Sequence, residues 1–407
     1  FDGMIAFDGA ALYLDSSTSA VKNSSFASNN SASSDIYAKN DLLVVASSAF
    51  NETTTAIHGL SMRNLTISDS LFTGSLTNSK VIAENAEILT IERSVFDRNS
   101  LDEDSLHGAA LLIVQSNAVL VSNSFKDNSG YNGGAAYLQD SNSTLKLNNF
   151  TSNEAKNEGG AIFIDCSKDC ASLLLNNSFT HNSAKLSGGA VKWSDLKPEL
   201  TSNEFLNNSA EYGGDFTSFP KSLSFRLGGK LSKDSDLNLT ELLVSGQPIK
   251  SPLVISLRDV SDQTVKVDNS TSCDLNSTNK LVVLSGQTRL KAVQGEMAFS
   301  SFSVSGPLGT NVELMLSCGE GIEPLKFSFY LRNCVRGESI QDSRCVVCPA
   351  GFYSFNPESP CKECSDNAEC HGNYSVYPKE GYWRSDPDSE SFYECPRKES
   401  CLGPEGS

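Results

Sequence analysis

Phenylalanine recurs through the first half of the chain at a nearly constant interval of 22 to 29 residues. The positions are Phe26, Phe50, Phe72, Phe96, Phe125, Phe150, Phe179 and Phe205. Six of them open a Phe-x-x-Asn tetrad, which ends at Asn29, Asn99, Asn128, Asn153, Asn182 and Asn208. A repeat of about 25 residues constrains the fold strongly, because each unit has to bury its apolar side against its neighbours.

A second motif, glycine and alanine leading into an apolar strand, alternates with the first. Its copies start at Gly9, Gly108, Gly133, Gly159 and Gly188, with a degenerate copy at Gly213. Glycine permits a tight bend with positive φ, and a small alanine fits a crowded interior corner. Together the motifs predict a parallel β-helix over residues 1–219. Phenylalanine would stack inward, and asparagine in a bend would bond the equivalent residue one coil away, about 4.8 Å distant.

The alternation of Gly-Gly-Ala with Phe-x-x-Asn resembles the repeats of the polymorphic outer-membrane protein family. This resemblance implies that the β-helix is right-handed. It covers residues 1–219 and is most specific over 96–208. Between 30 and 90 it weakens, because Phe50 and Phe72 are followed three residues later by Thr53 and Ser75.

After Phe219 the repeat gives way to short alternating stretches separated by turns, such as 253–257, 312–316 and 327–331. This pattern predicts an antiparallel β-sandwich over residues 220–333, with structural support as its role. Cys273 and Cys318 lie in this region and are expected to bridge each other, as are Cys166 and Cys170 in the coil.

Residues 334–407 are rich in turns and cysteine, and a segment this small needs crosslinks to fold. The cysteines are Cys334, Cys345, Cys348, Cys361, Cys364, Cys370, Cys395 and Cys401. Two Cys-x-x-Cys pairs could also form a zinc site, but the extra cysteines favour disulfides. Cys395 to Cys401 is one expected bridge; spacing leaves the others open. The phrase 348–354 resembles growth-factor-receptor or ephrin-receptor-like modules, and 381–384 a phrase of large protist surface proteins.

Twelve Asn-x-Ser/Thr sequons accompany the twelve cysteines, and the combination points to the secretory pathway. The candidate glycosylation sites are Asn23, Asn29, Asn51, Asn64, Asn142, Asn149, Asn176, Asn207, Asn238, Asn269, Asn276 and Asn373. Asn142, Asn149 and Asn176 are the strongest candidates, because they lie at or near turns. N-linked glycans are the expected non-protein component, and the expected location is secreted or at the cell surface.

An enzyme is the weaker hypothesis. The densest acidic cluster comprises Asp97, Asp102, Glu103 and Asp104; we interpret it as a solvated loop, with weak calcium binding as the alternative. The histidines at 58, 107, 181 and 371 share no motif spacing, and the glycines at 228 and 229 lack a surrounding phosphate loop. No catalytic, cofactor-binding or metal residue is assigned.

A formal net charge of -17 argues against nucleic acid as a partner, and no apolar run is long enough to span a membrane. The sequence therefore predicts an extracellular structural glycoprotein of a surface coat or filament. Its partners would be copies of itself or related surface modules. Because the chain opens inside a repeat, either further coils precede Phe1 or residues 1–14 pair head to tail with a neighbour. The alternative is an adhesin or receptor ectodomain that binds a protein or glycan; a polysaccharide-active enzyme is less favoured.

Overall fold

The computed structural model describes residues 11–27, 34–74, 77–101, 107–167, 170–227, 230–232 and 238–403. It divides the chain into two compact units, 1–221 with 257–269 and 222–256 with 270–407. The sequence placed 220–221 and 257–269 in the sandwich, whereas these residues group with the coil. The second unit contains both the remaining predicted sandwich residues and the cysteine-rich residues.

The first unit is a parallel β-helix of about eight turns, so the predicted fold class is confirmed. In the described residues three long parallel sheets, here called A, B and C, run along it. The strands of sheet A are Leu12–Asp15, Ser34–Lys39, Thr55–Leu60, Val81–Glu84, Leu111–Val114, Ala136–Gln139, Ile162–Asp165, Val191–Trp193 and Phe216–Ser218. Those of sheet B are Thr18–Lys22, Leu42–Ala46, Asn64–Ser68, Leu89–Glu92, Asn117–Val121, Asn142–Lys146, Ser172–Leu175 and Glu199–Thr201.

Sheet C carries the repeated phenylalanines. Its strands are Ser25–Ala27, Ala49–Asn51, Leu71–Thr73, Val95–Asp97, Ser124–Lys126, Asn149–Thr151, Ser178–Thr180 and Glu204–Leu206. A short parallel sheet, here called D, follows it in three coils, with strands Ser129–Asn132, Glu154–Glu158 and Ser183–Ala184. Successive coils pair in register, so that Phe125 lies opposite both Phe96 and Phe150.

The eight phenylalanines form one continuous inner column, as predicted. Neighbouring rings are stacked with centroids 4.7 to 5.0 Å apart. All the rings are buried except that of Phe205, which is partly exposed. Burying one such ring contributes roughly 1.5 to 3 kcal/mol. The column is therefore the main apolar contribution of sheet C.

The glycine pairs occupy the corner that leads into sheet A. Gly133 has a φ of 65°, a conformation that costs glycine little. A Cβ atom at Gly134 would lie 2.2 Å from the carbonyl oxygen of Gly160, so the neighbouring coil leaves room only for hydrogen there. Ala135 and Ala161 then enter the interior fully buried.

The tetrad asparagines form a buried ladder at the corner after sheet C, which confirms the second predicted column. The Nδ2 of Asn128 donates to the Oδ1 of Asn153 at 2.9 Å and to the carbonyl of Phe96 at 3.0 Å. The same pattern joins Asn99, Asn128, Asn153, Asn182 and Asn208. Asn208 donates in turn to Asp215 at 3.1 Å. Asn29 lies outside the described residues.

The second unit consists mainly of antiparallel sheets. One sheet contains Lys230–Ser232, Ser222–Leu227, Leu253–Arg258 and Glu296–Phe299, in that order. Another contains Asn238–Leu243, Leu325–Leu331, Thr310–Ser317, Ser272–Ser277 and Arg289–Lys291; Asn238–Leu243 pairs parallel to its neighbour. Phe225 of the first sheet lies 5.5 Å from Phe327 of the second, ring centroid to centroid.

Five two-stranded antiparallel sheets complete the described part of this unit. They are Val283–Gly286 with Phe302–Ser305, Glu338–Gln341 with Arg344–Val347, Phe352–Tyr353 with Lys362–Glu363, Ala368–Gly372 with Ser375–Pro378, and Tyr382–Trp383 with Tyr393–Glu394. One turn of 3-10 helix, Lys398–Ser400, follows the last hairpin.

Candidate functional site

All twelve cysteines are paired in the structure. The bridges join Cys166 to Cys170, Cys273 to Cys318, Cys334 to Cys345, Cys348 to Cys361, Cys364 to Cys370 and Cys395 to Cys401. The two Cys-x-x-Cys pairs that could have formed a zinc site are therefore divided among three disulfides. In the described part of the chain, the one group with metal-like spacing is Cys334, Glu338 and Cys345. Its two sulfurs bond each other, and Glu338 pairs with Arg332 at 2.6 Å.

The sequon asparagines face outward wherever their side chains are described. Those that are exposed are Asn23, Asn142, Asn149, Asn176, Asn207, Asn269, Asn276 and Asn373, and those that are half-buried are Asn51 and Asn64. Asn29 and the side chain of Asn238 lie outside the described residues. The Thr151 hydroxyl donates to Oδ1 of Asn149 at 3.0 Å, and Thr66 does the same for Asn64. No described sequon asparagine is a ladder residue, so a glycan at these sites would not interrupt the ladder.

The candidate acidic and histidine residues are dispersed. Asp97 pairs with Arg98 at 2.9 Å; Asp102, Glu103 and Asp104 lie outside the described residues, as do Gly228 and Gly229. His58 lies 3.5 Å from Glu84, and burial lowers its pKa although Glu84 opposes the shift. The other histidines each contact a different partner. His107 stacks on Tyr137, His181 hydrogen-bonds Asn207, and the His371 ring packs edge-on against Tyr377.

A second buried ladder, which the sequence analysis missed, precedes sheet C. Its members, two residues before each phenylalanine, are Ser24, Ser48, Ser70, Ser94, Asn123, Asn148, Asn177 and Asn203. In the serine coils one main-chain N–H reaches the next hydroxyl, as from Ser48 to Ser70 at 3.2 Å. In the asparagine coils the side chain adds its own bonds, as from Asn148 to Asn177 at 3.0 Å and to the carbonyl of Leu120 at 2.9 Å. In the four asparagine coils the sequence shows this ladder as a recurrent Asn-x-Phe motif.

Lys80 supplies a hydrogen-bond donor at a coil where the first ladder has no asparagine. Thr53 stands at the ladder position after Phe50, and the buried Nζ of Lys80 donates to its carbonyl at 2.5 Å and its hydroxyl at 2.9 Å. A third bond reaches the carbonyl of Gly74 at 3.1 Å. Burial lowers the pKa of Lys80 to about 7, against the opposing charge of Asp35. The ammonium group thus replaces the asparagine amide as the donor.

The segment 257–269 attaches to the last coils through Asp259. This buried carboxylate accepts bonds from the Tyr212 hydroxyl at 2.6 Å and the Thr217 hydroxyl at 3.0 Å. It also accepts from the main-chain N–H groups of Ser261 and Gln263, at 2.9 and 2.8 Å. Burial and the neighbouring Asp259 raise the pKa of Tyr212. The segment therefore covers polar groups of the final coil.

Lys192 is a second buried lysine among the described residues, and it lies near the last coils, as Asp259 does. Its Nζ lies 3.4 Å from a Glu158 carboxylate oxygen, donates to the Ser218 carbonyl at 3.2 Å and stands 4.3 Å from the Phe219 ring centre. Burial lowers the pKa of Lys192, although Glu158 favours its charge. Lys80 and Lys192 thus each donate to main-chain carbonyls of the coil.

A family model described as a right handed beta helix region matches residues 5–150. This match supports a right-handed coil. No curated protein and no solved structure matches the chain. Within the described residues, no helix has the length and apolar character needed to cross a membrane. A disulfide-rich chain with a β-helix is consistent with a surface protein and compatible with an extracellular location.

Proposed function

We propose that this chain is an extracellular, N-glycosylated structural protein of a cell-surface coat or filament. The observation that carries the proposal is the continuity of the coil, in which a phenylalanine column and two polar ladders run from coil to coil. Such repetition resists local opening, because each coil is held by both of its neighbours. The full pairing of the cysteines suits an oxidising compartment.

The finer classification rests on motif resemblance. The coil resembles the polymorphic outer-membrane protein repeats, and residues 334–407 resemble growth-factor-receptor or ephrin-receptor-like modules of protist surface proteins. We assign no catalytic role and no cofactor beyond N-linked glycans. The expected partners are copies of this chain or related surface modules. End-to-end association through the main-chain groups at coil ends would build a filament.

Native material provides the test. We expect glycopeptide mass spectrometry to find N-glycans at several exposed sequons, with Asn142, Asn149 and Asn176 among them. Light scattering and electron microscopy should find linear assemblies that persist in non-reducing buffer. A monodisperse monomer in native material would contradict the filament role, and an absence of glycans at every sequon would contradict the coat function and secretion together.

An adhesin is the second candidate, and one observation favours it. Trp383 and Tyr393 pair across a hairpin near the end of the chain, with ring centroids 5.5 Å apart, yet they are 45% and 52% exposed. Aromatic residues of this kind are enriched where proteins bind partners. If Trp383→Ala abolishes attachment of the purified chain to cells while assembly is unchanged, the adhesin role replaces the coat role.

A further inference from the structure

Glu158 and Lys192 form an ion pair that joins two successive coils. Glu158 ends the sheet D strand Glu154–Glu158, and Lys192 lies one coil later, in the sheet A strand Val191–Trp193. The Lys192 Nζ lies 3.4 Å from Oε1 of Glu158, and the two side chains are 1% and 12% exposed. No other ion pair within the described residues is exposed so little. The pair therefore lies in surroundings where separate charges are costly.

Neighbouring groups enclose both ends of this pair. The Phe219 ring centre lies 4.3 Å from the Lys192 Nζ, which also donates to the Ser218 carbonyl at 3.2 Å. On the other side the Ser187 hydroxyl donates to the same Oε1 of Glu158 at 2.5 Å. Burial lowers the pKa of Lys192, although Glu158 favours its charge. Because the neutral amine is the nucleophilic form of lysine, desolvation of this kind activates it.

A second carboxylate, that of Asp259, lies near the same coils but has other partners. It accepts hydrogen bonds from the hydroxyls of Tyr212 and Thr217 and from two main-chain N–H groups. Thr217 itself pairs with Lys192 across sheet A. Within the described residues, Glu158 is the one carboxylate that forms an ion pair with Lys192. Glu158 is therefore the acyl group that the amine of Lys192 would reach.

We propose that Lys192 and Glu158 condense into an isopeptide bond, which is an amide between the two side chains. The Nζ lone pair attacks Cδ of Glu158, a Cδ–Nζ bond forms, and the bond from Cδ to the other carboxyl oxygen, Oε2, breaks. That oxygen takes up two protons of the ammonium group and leaves as water, so atoms and charges balance without an oxidant or a cofactor. The Ser187 hydroxyl, bonded to Oε1, stabilises the negative charge that develops there. The bond does not depend on the coat or filament role.

Two effects favour the amide over the ion pair at this place. Well-oriented groups held in contact react as if each were present at roughly 10⁵ to 10⁸ M. A buried ion pair also carries a desolvation cost that a neutral amide avoids. Lys221 and Asp195 have the first advantage only, because they lie 2.5 Å apart but are 26% and 55% exposed. We expect that second pair to remain an ion pair, since water solvates both of its charges.

Mass spectrometry of the unaltered full chain tests the bond. Denaturation, reduction of the disulfides and enzymatic removal of N-glycans separate an ion pair but leave an amide intact. We expect a protease digest to contain a branched peptide that joins Lys192 to Glu158 and is lighter than its two separate peptides together by one water. In the same digest Lys221 and Asp195 should occur in separate peptides. Recovery of Lys192 and Glu158 in separate peptides alone would overturn the isopeptide bond.

Two variants show whether the bond requires the amine of Lys192. Lys192→Arg retains the positive charge but removes the amine, so the branched peptide should be lost completely while circular dichroism still reports the β-structure. If this variant does not fold, the digest of the unaltered chain decides alone. Lys221→Arg, the matched control at the exposed pair, should retain the branched peptide. A branched peptide joining Lys221 to Asp195 at similar yield would show that linkage arises during sample handling, and would overturn the bond as well.

Discussion

The coil and the cysteine-rich segment 334–403 are stabilised by different kinds of interaction. The coil has a single bridge, Cys166 to Cys170, which spans four residues, and it depends on stacked rings and repeated hydrogen bonds. The later segment has four bridges around a small buried cluster of Tyr353, Ala368 and Val376. Repetition extends a core indefinitely, whereas a short segment without repeats needs covalent crosslinks.

Reduction of the disulfides should separate the two regions most strongly. Loss of one native bridge costs roughly 2 to 5 kcal/mol in a small domain, so loss of four should unfold residues 334–403. The coil should keep its structure. Hydrogen exchange with mass spectrometry, before and after dithiothreitol, measures both regions in one sample. Equal loss of protection in the coil would show that the coil also depends on disulfides.

Removing one ring of the phenylalanine column should lower the stability of the coil alone. Phe150→Ala removes a fully buried side chain stacked at 4.7 and 4.9 Å on its neighbours. The expected loss in free energy of unfolding of the coil is about 3 to 5 kcal/mol, measured by urea denaturation. Leu206→Ala, at a residue 48% exposed on the same sheet, should change it by less than about 0.5 kcal/mol. A similar loss in both variants would exclude the column as the main support.

The second ladder allows its serine and asparagine coils to be compared directly. Asn148→Ala removes the bonds to Asn177 and Leu120 and should cost about 2 to 3 kcal/mol, because buried partners remain unsatisfied. Ser70→Ala removes a hydroxyl that accepts from Ser48 and should cost about 1 kcal/mol. Thermal unfolding of the two variants gives the order. The reverse order would mean that the side-chain bonds of asparagine add nothing.

Lys80 should make the stability of the coil depend on pH. Its pKa in the folded chain is about 7, below the ordinary value of about 10.4. Between these values the unfolded chain holds the proton and the folded chain does not, so stability rises with pH, by at most about 1.4 kcal/mol per unit. Below pH 7 the contribution is constant. Lys80→Met should remove this slope in urea titrations from pH 6 to 10, whereas Lys146→Met, at an exposed lysine, should retain it.

Sequence periodicity could predict the parts of the fold that repeat. The phenylalanine column and the first asparagine ladder were visible because one residue type recurs at one position. The second ladder changes from serine to asparagine, so its common position was hidden by its change of residue. Lys80 and Asp259 were beyond prediction for another reason: each occurs once, and each acts on residues brought near only by folding.

The hydrogen bonds between side chains of the first asparagine ladder all run in one direction along the coil. The amide of Asn128 bonds a carbonyl of the coil made before it, that of Phe96, and the side-chain oxygen of the coil made after it, that of Asn153. A coil leaving the ribosome therefore finds half of its partners already in place and presents the other half to its successor. Growth of the solenoid and synthesis of the chain proceed in the same sense, so that each finished turn can template the next without waiting for the C-terminus.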